Sequence, residues 1–291
     1  MKPLFMIIAL SIFSLSLHAE QVLVGLDEVS LTTGISRKDY TLGMTLLLNE
    51  FLKKENIETV VTSYDDPARL MDDFKSGKIN MIASNAINVI KYLPISSLKS
   101  GITGYKYNKS DNQTLLLLTR SDNMRPLDEL IKGVIATDGD KVADLYFRTL
   151  MLQNKAAESP NYLVLKNNQQ SILKLYFKQA DIALVDRGSF LVAAELNPSL
   201  NRELKIVKDI PLTLGTVCYT RKDMSPELHS KVIAMAKKIN TTPRGKQLMQ
   251  MFHADKMDES TLNELGSVSA LMSQYNELTQ HKPNPTLGKK R

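Results

Sequence analysis

Several polar residues stand directly after short apolar runs, where a strand would end and leave them at an edge. Asp138 and Asp140 flank Gly139 after Val134-Ile135-Ala136-Thr137. Asp186 and Arg187, with Gly188 and Ser189, follow Ile182-Ala183-Leu184-Val185. Ser84 and Asn85 follow Ile79-Asn80-Met81-Ile82-Ala83. Thr137 itself, Thr32 and Thr33 before Gly34, and Tyr64 beside Asp65 hold comparable positions. Such hydroxyls, amides and charges suit hydrogen bonding to a polar ligand. They do not make a reaction centre. Gly-x-Ser-x-Gly, His-Glu-x-x-His and phosphate-loop glycine patterns are all absent from the sequence. Asp138 and Asp140 have no nucleophile or base beside them. His229, His253 and His281 fall near the C-terminus, away from these loops and without metal-ligand spacing. The single cysteine, Cys218, excludes an intramolecular disulfide and any cysteine-built metal site. It stands in the strand-like run Thr216–Thr220, as a packed residue would. The expectation is a binding protein and not an enzyme, with no metal and no cofactor.

Each candidate also has a plain structural role. Ser84, Asn85 and Asp140 are suited to capping the helix that follows, a contribution of about 1 kcal/mol whatever the function. The charges lean one way. Asp138, Asp140 and Asp186 are opposed only by Arg187. A carboxylate facing an anion raises the energy of both, so these residues favour an ammonium, as in an amino acid or a polyamine. Arg187 or Arg37 would suit a carboxylate held by two parallel hydrogen bonds.

These residues need strands and helices to place them. The chain has 291 residues, 43% hydrophobic and 23% charged, enough apolar surface to fold rather than stay disordered. A net charge of +6, from 37 Lys and Arg against 31 Asp and Glu, is spread too thinly for a nucleic-acid protein. Strand-like runs at 22–26, 59–64 and 79–83 alternate with helical spacing at 39–55, 66–75 and 86–92. A second block repeats the scheme, with strands at 134–137, 162–165, 182–185 and 204–207 and helices at 142–153, 169–178 and 190–196. The order predicts α/β lobes with mainly parallel sheets. Ligands then bind beyond the carboxyl ends of the strands, which is where the candidate residues lie.

Two segments join the blocks. Leu115–Asp122 and Thr216–Asp223 are strand-like and both end Thr-Arg-x-Asp, each followed shortly by Pro and an acidic helical start. Helices at 226–239, 243–252 and 259–276 close the chain. The expected architecture is two Rossmann-like lobes joined by two crossing hinge strands, with the C-terminal helices on lobe one. Residues 20–118 and 216–276 form lobe one, and 119–215 lobe two. Met1-Lys2-Pro3, the apolar run Leu4–Leu17 and His18-Ala19-Glu20 read as a secretory signal peptide, residues 1–19, cleaved after Ala19. Residues 277–291 read as a disordered basic tail.

The sequence resembles the type II periplasmic solute-binding proteins of ABC uptake systems, in their phosphate/phosphonate-binding-like branch. The resemblance rests on Tyr40–Leu52, on Tyr64-Asp65-Asp66 to Leu70, and on Phe74-Lys75-Ser76-Gly77-Lys78-Ile79-Asn80-Met81-Ile82-Ala83, with Asn80 where the family usually has Asp. It continues through Leu127–Ala136, Ala180-Asp181-Ile182-Ala183 and Thr242-Pro243-Arg244-Gly245-Lys246 to Phe252. It implies an exported, periplasmic, monomeric protein that closes its lobes on a small polar ligand and delivers it to a membrane permease. Relatives that take phosphate-like oxyanions present hydroxyl-rich turns at helix starts. An alternative with the same fold is a sensor subunit that presents its ligand-bound form to a membrane signalling receptor.

Overall fold

The computed structural model describes residues 20–28, 37–105, 114–156, 159–251 and 254–280. The chain begins with β1 (Gln21–Asp27), α1 (Arg37–Leu52), β2 (Glu58–Tyr64), α2 (Pro67–Ser76), β3 (Met81–Asn85), α3 (Ala86–Tyr92), β4 (Leu98–Lys99) and β5 (Gly101–Tyr105). It crosses to β6 (Thr114–Arg120), α4 (Leu127–Leu130), β7 (Val134–Thr137), α5 (Lys141–Gln153), β8 (Asn161–Val164), α6 (Asn168–Tyr176), β9 (Ile182–Asp186), α7 (Arg187–Leu196), α8 (Leu200–Glu203) and β10 (Leu204–Pro211). It returns through β11 (Thr216–Arg221), α9 (Pro226–Thr241), α10 (Pro243–Met251), β12 (Lys256–Ser260) and α11 (Glu264–Gln280).

Lobe one carries the sheet β2-β1-β3-β11-β4, and lobe two the sheet β10-β6-β9-β7-β8. β1 is parallel to β2 and β3, and β7 to β8 and β9. The two-lobed α/β fold is as expected, but the sheets are mixed. β11 runs antiparallel to β3, and β6 antiparallel to β9 and β10. β6 pairs along its length with lobe-two strands, so residues 114–118, grouped with lobe one from the sequence, lie in the sheet of lobe two. Its run Leu115-Leu116-Leu117-Leu118 is fully buried. Leu115 and Leu117 face the core that holds Phe147, while Leu116 and Leu118 face the core of Ile172 and Phe190. A central strand covered on both faces has no polar side, which is why it reads as an unbroken apolar run.

β12 went unseen in the sequence because Lys256-Met257-Asp258-Glu259-Ser260 has little apolar alternation. Antiparallel pairing with β5 defines it. α9 and α10 pack on α1 of lobe one, whereas α11 rests against both α3 of lobe one and α5 of lobe two.

The two lobes repeat the same local devices. Asn80 and Asp181 each precede a central strand and hold the start of its neighbour. Leu23 N–H donates to Asn80 Oδ1 (2.9 Å), and Val134 N–H donates to Asp181 Oδ2 (2.8 Å). Asn80 also donates from Nδ2 to the Gln21 carbonyl (2.8 Å), a bond a carboxylate cannot make, which accounts for Asn in this place. The repeated Thr-Arg-x-Asp motif has a structural role. Arg120 Nη1 donates to the Tyr176 carbonyl (2.7 Å) at the end of α6, and Arg221 Nη1 to the Phe74 carbonyl (2.8 Å) near the end of α2. Each guanidinium is held by the Asp two residues on. A cation on the last carbonyls of a helix is favoured by their partial negative charge. Asn80→Asp should therefore destabilise the protein by about 1 kcal/mol, the worth of one intramolecular hydrogen bond, in spite of matching the family pattern. Urea denaturation of both proteins checks this.

Candidate functional site

In lobe one the strand ends gather around a carboxylate. Asp27, the last residue of β1, is fully buried. It accepts hydrogen bonds from Ser84 Oγ (2.5 Å) at the end of β3 and from Asn88 Nδ2 (2.8 Å) on α3. Asn85 caps α3 by accepting from Asn88 N–H (2.9 Å). Tyr64 points elsewhere. Its hydroxyl donates to Asp73 on α2 (3.0 Å), and its ring packs near Gly25, where an added Cβ would also meet Leu70 at 2.3 Å. The structure thus directs Tyr64 into the helix layer rather than the strand-end mouth. Asp27 was missed in the sequence, where it stands directly after the strand-like run 22–26. Its position at a strand end was the available signal. Thr32 and Thr33, and the side chain of Arg37, lie outside the described residues.

Lobe two presents carboxylates. Asp140 caps α5, its Oδ1 accepting from Val142 N–H (2.8 Å) and Ala143 N–H (2.9 Å). Its Oδ2 accepts from Gly215 N–H (2.8 Å), in the second segment that crosses between the lobes. Asp138 Oδ1 accepts from Asp140 N–H (3.1 Å), and Thr137 Oγ1 from Gly139 N–H (3.2 Å). Asp186 caps α7 through Ser189 N–H (2.7 Å), accepts from Ser189 Oγ (2.6 Å), and also takes a hydrogen bond from Asn168 Nδ2.

Two strand registers bring these loops together. Thr216, next to Gly215, pairs with Asn85, and Asp186 pairs with Leu115 at the start of β6. The strand ends that carry Ser84, Asn85 and Asp186 therefore adjoin the crossing segments, and Asp140 reaches the second of them through Gly215. Arg187 does not balance the carboxylates. It pairs with Asp209 on β10, and its Nε is buried without a partner. Among the described residues no Lys or Arg forms an ion pair with Asp138, Asp140 or Asp186. Burial, then the charge of Asp140 and that of Asp186, push the Asp138 carboxyl up to about 7. Burial also raises Asp140, against the backbone N–H groups that favour its ionised form. Among the described residues no group of three or more His, Cys, Asp or Glu is arranged to hold a metal ion. A shallow depression of about 320 Å³, lined by Gln21, Gly77, Asn80 and Arg221, lies at the opposite, amino-terminal edge of the lobe-one sheet.

A sequence model of the ABC-transporter periplasmic phosphonate substrate-binding proteins matches residues 30–265. The chain belongs to this phosphonate-binding family. Its family consists of transporter binding proteins rather than enzymes, and membership implies a periplasmic location. No curated protein matches the sequence. Solved structures share the fold. A Xanthomonas citri protein bound to ATP is 12% identical, with a TM-score of 0.59 over 90% of this chain and 99% of that one. A binding-protein component of an ABC phosphonate transporter from Pseudomonas aeruginosa is 14% identical, with a TM-score of 0.56 over 93% and 91%. A Prochlorococcus marinus protein in complex with methylphosphonate is 9% identical, with a TM-score of 0.55 over 89% and 99%.

Two outcomes follow for this binding protein. Ser84→Ala should cost about 1–3 kcal/mol of stability even without ligand, because it removes a donor from the buried Asp27. Chemical denaturation measures it. The raised Asp138 carboxyl holds its proton more tightly in the folded state than in the unfolded one. Its favourable contribution is complete below about pH 4, the unfolded value, and is lost as pH rises through about 7. Asp138→Asn should therefore raise the melting temperature at pH 8 more than at pH 4.

Proposed function

We propose that this protein is exported, its leader removed after Ala19, and that it closes its lobes as a monomer on a small polar ligand and hands it to an ABC permease. The ligand carries a cationic group that faces Asp138, Asp140 and Asp186, and an anionic group of phosphonate type. The single observation behind this reading is the set of lobe-two carboxylates with no ion-paired Lys or Arg among the described residues. Carboxylates brought together away from water raise one another's energy, and an ammonium placed among them relieves that cost. The anionic group is favoured by the family and by the methylphosphonate held by the Prochlorococcus marinus protein. A simple oxyanion fits less well on lobe two, since the N–H groups that open α5 and α7 are already capped by Asp140 and Asp186. Contact with both lobes would couple binding to closure, because the ligand stabilises only the closed arrangement.

Calorimetric titration with methylphosphonate, an aminoalkylphosphonate and a simple diamine tests the ligand class. The aminoalkylphosphonate should bind at least about tenfold more tightly than methylphosphonate, a difference of about 1.4 kcal/mol. Asp138→Asn should reduce that preference. Equal or tighter binding of methylphosphonate would remove the cationic group from the proposal.

A further inference from the structure

Two crossing segments would leave the lobes free to rotate, yet α11 lies across both of them. Leu265, Val268 and Leu271 of α11 are buried, at a spacing that forms one helical face. They belong to an apolar cluster that also contains Val89 and Leu93 from the α3 end of lobe one. The same cluster takes Val142, Phe147 and Leu150 from α5 of lobe two. The start of α11 is tied to the crossing segment itself. Thr213 Oγ1 donates to the Glu264 carbonyl (2.9 Å), and Tyr219 on β11 donates its hydroxyl to the Thr261 carbonyl (3.1 Å). Thr261 N–H in turn donates to Glu264 Oε1 (2.9 Å), which fixes the first turn.

We propose that α11 is a strap that holds α3 and α5 together and sets the angle between the lobes in the absence of ligand. Any rotation about the crossing segments must slide α5 along α11 or lift it away. Close-packed side chains settle into discrete arrangements rather than deforming continuously, so the strap restricts the lobes to a few positions. The inference concerns the unliganded protein and stands apart from the ligand proposed above.

Spin labels on Lys54→Cys in lobe one and Gln169→Cys in lobe two report the interlobe distance by pulsed electron resonance. Both sites are exposed, while the native Cys218 is buried and its thiol is pushed up to about 12, so it escapes labelling. The labelled protein should give one narrow distance distribution without ligand. Val268→Ala with Leu271→Ala should at least double its width while each lobe keeps cooperative melting. An unchanged width in that variant overturns the proposal. If the double variant fails to fold, Met272→Ala, half-buried on the same cluster, and Thr213→Val, which removes the tie to the crossing segment, replace it. Unchanged widths in both again overturn the strap.

Discussion

Asp140 is the point on which the architecture turns. One oxygen of its buried carboxylate closes the first turn of α5, and the other grips the Gly215 N–H of a crossing segment. Gly215 has φ of +71°, a conformation glycine adopts without strain, and it leads directly into β11 beside Asn85. One side chain thus links the helix start of lobe two to the strand that enters lobe one. It also adds its charge to the burial that, first of all, raises the carboxyl of Asp138 beside it. Fold and electrostatics depend on the same group.

The remaining devices are paired across the lobes. Asn80 and Asp181 start equivalent strands, Arg221 and Arg120 close equivalent helices, and Asn85 and Asp186 cap equivalent ones. The pairing is not a copy. The arginines are alike, but lobe one uses an amide in both places where lobe two uses a carboxylate. At the strand ends, lobe two thus has Asp186 where lobe one has Asn85, while Asp27 in lobe one is met by Ser84 and Asn88. A ligand between them would meet unlike surfaces, which favours one orientation over its reverse.

Much of this was legible in the sequence, for physical reasons. Strands with covered faces read as apolar runs, and their ends marked Ser84, Asn85, Asp138, Asp140 and Asp186. Capping accounts for Asn85 and Asp140, which open α3 and α5 as expected, and for Asp186 at α7, whereas Ser84, expected as a cap, turns its hydroxyl to the buried Asp27 instead. What escaped notice depends on long-range pairing. β12 is a strand only because β5 lies beside it, and β6 joins lobe two through partners 65 (Leu118–Ala183) to 97 (Thr114–Pro211) residues away. Tyr64 ends the expected strand, but its hydroxyl is drawn to Asp73 on α2 rather than to the mouth, a partner that the strand pattern does not reveal. Arg187 looked like the counter-charge of the carboxylates until Asp209 on β10 was placed next to it. The position of α11 across two lobes has no signature in its own periodicity, which shows only one apolar face.

The central proposal is that the lobe-two carboxylates receive a cationic group of the ligand. Carboxyl-carbon NMR titration of Asp138, free and saturated with an aminoalkylphosphonate, measures this directly. The account predicts a free value near 7 that falls toward the ordinary carboxylate range when the ammonium arrives. An ordinary value in the free protein, or one that ligand leaves unmoved, would contradict it.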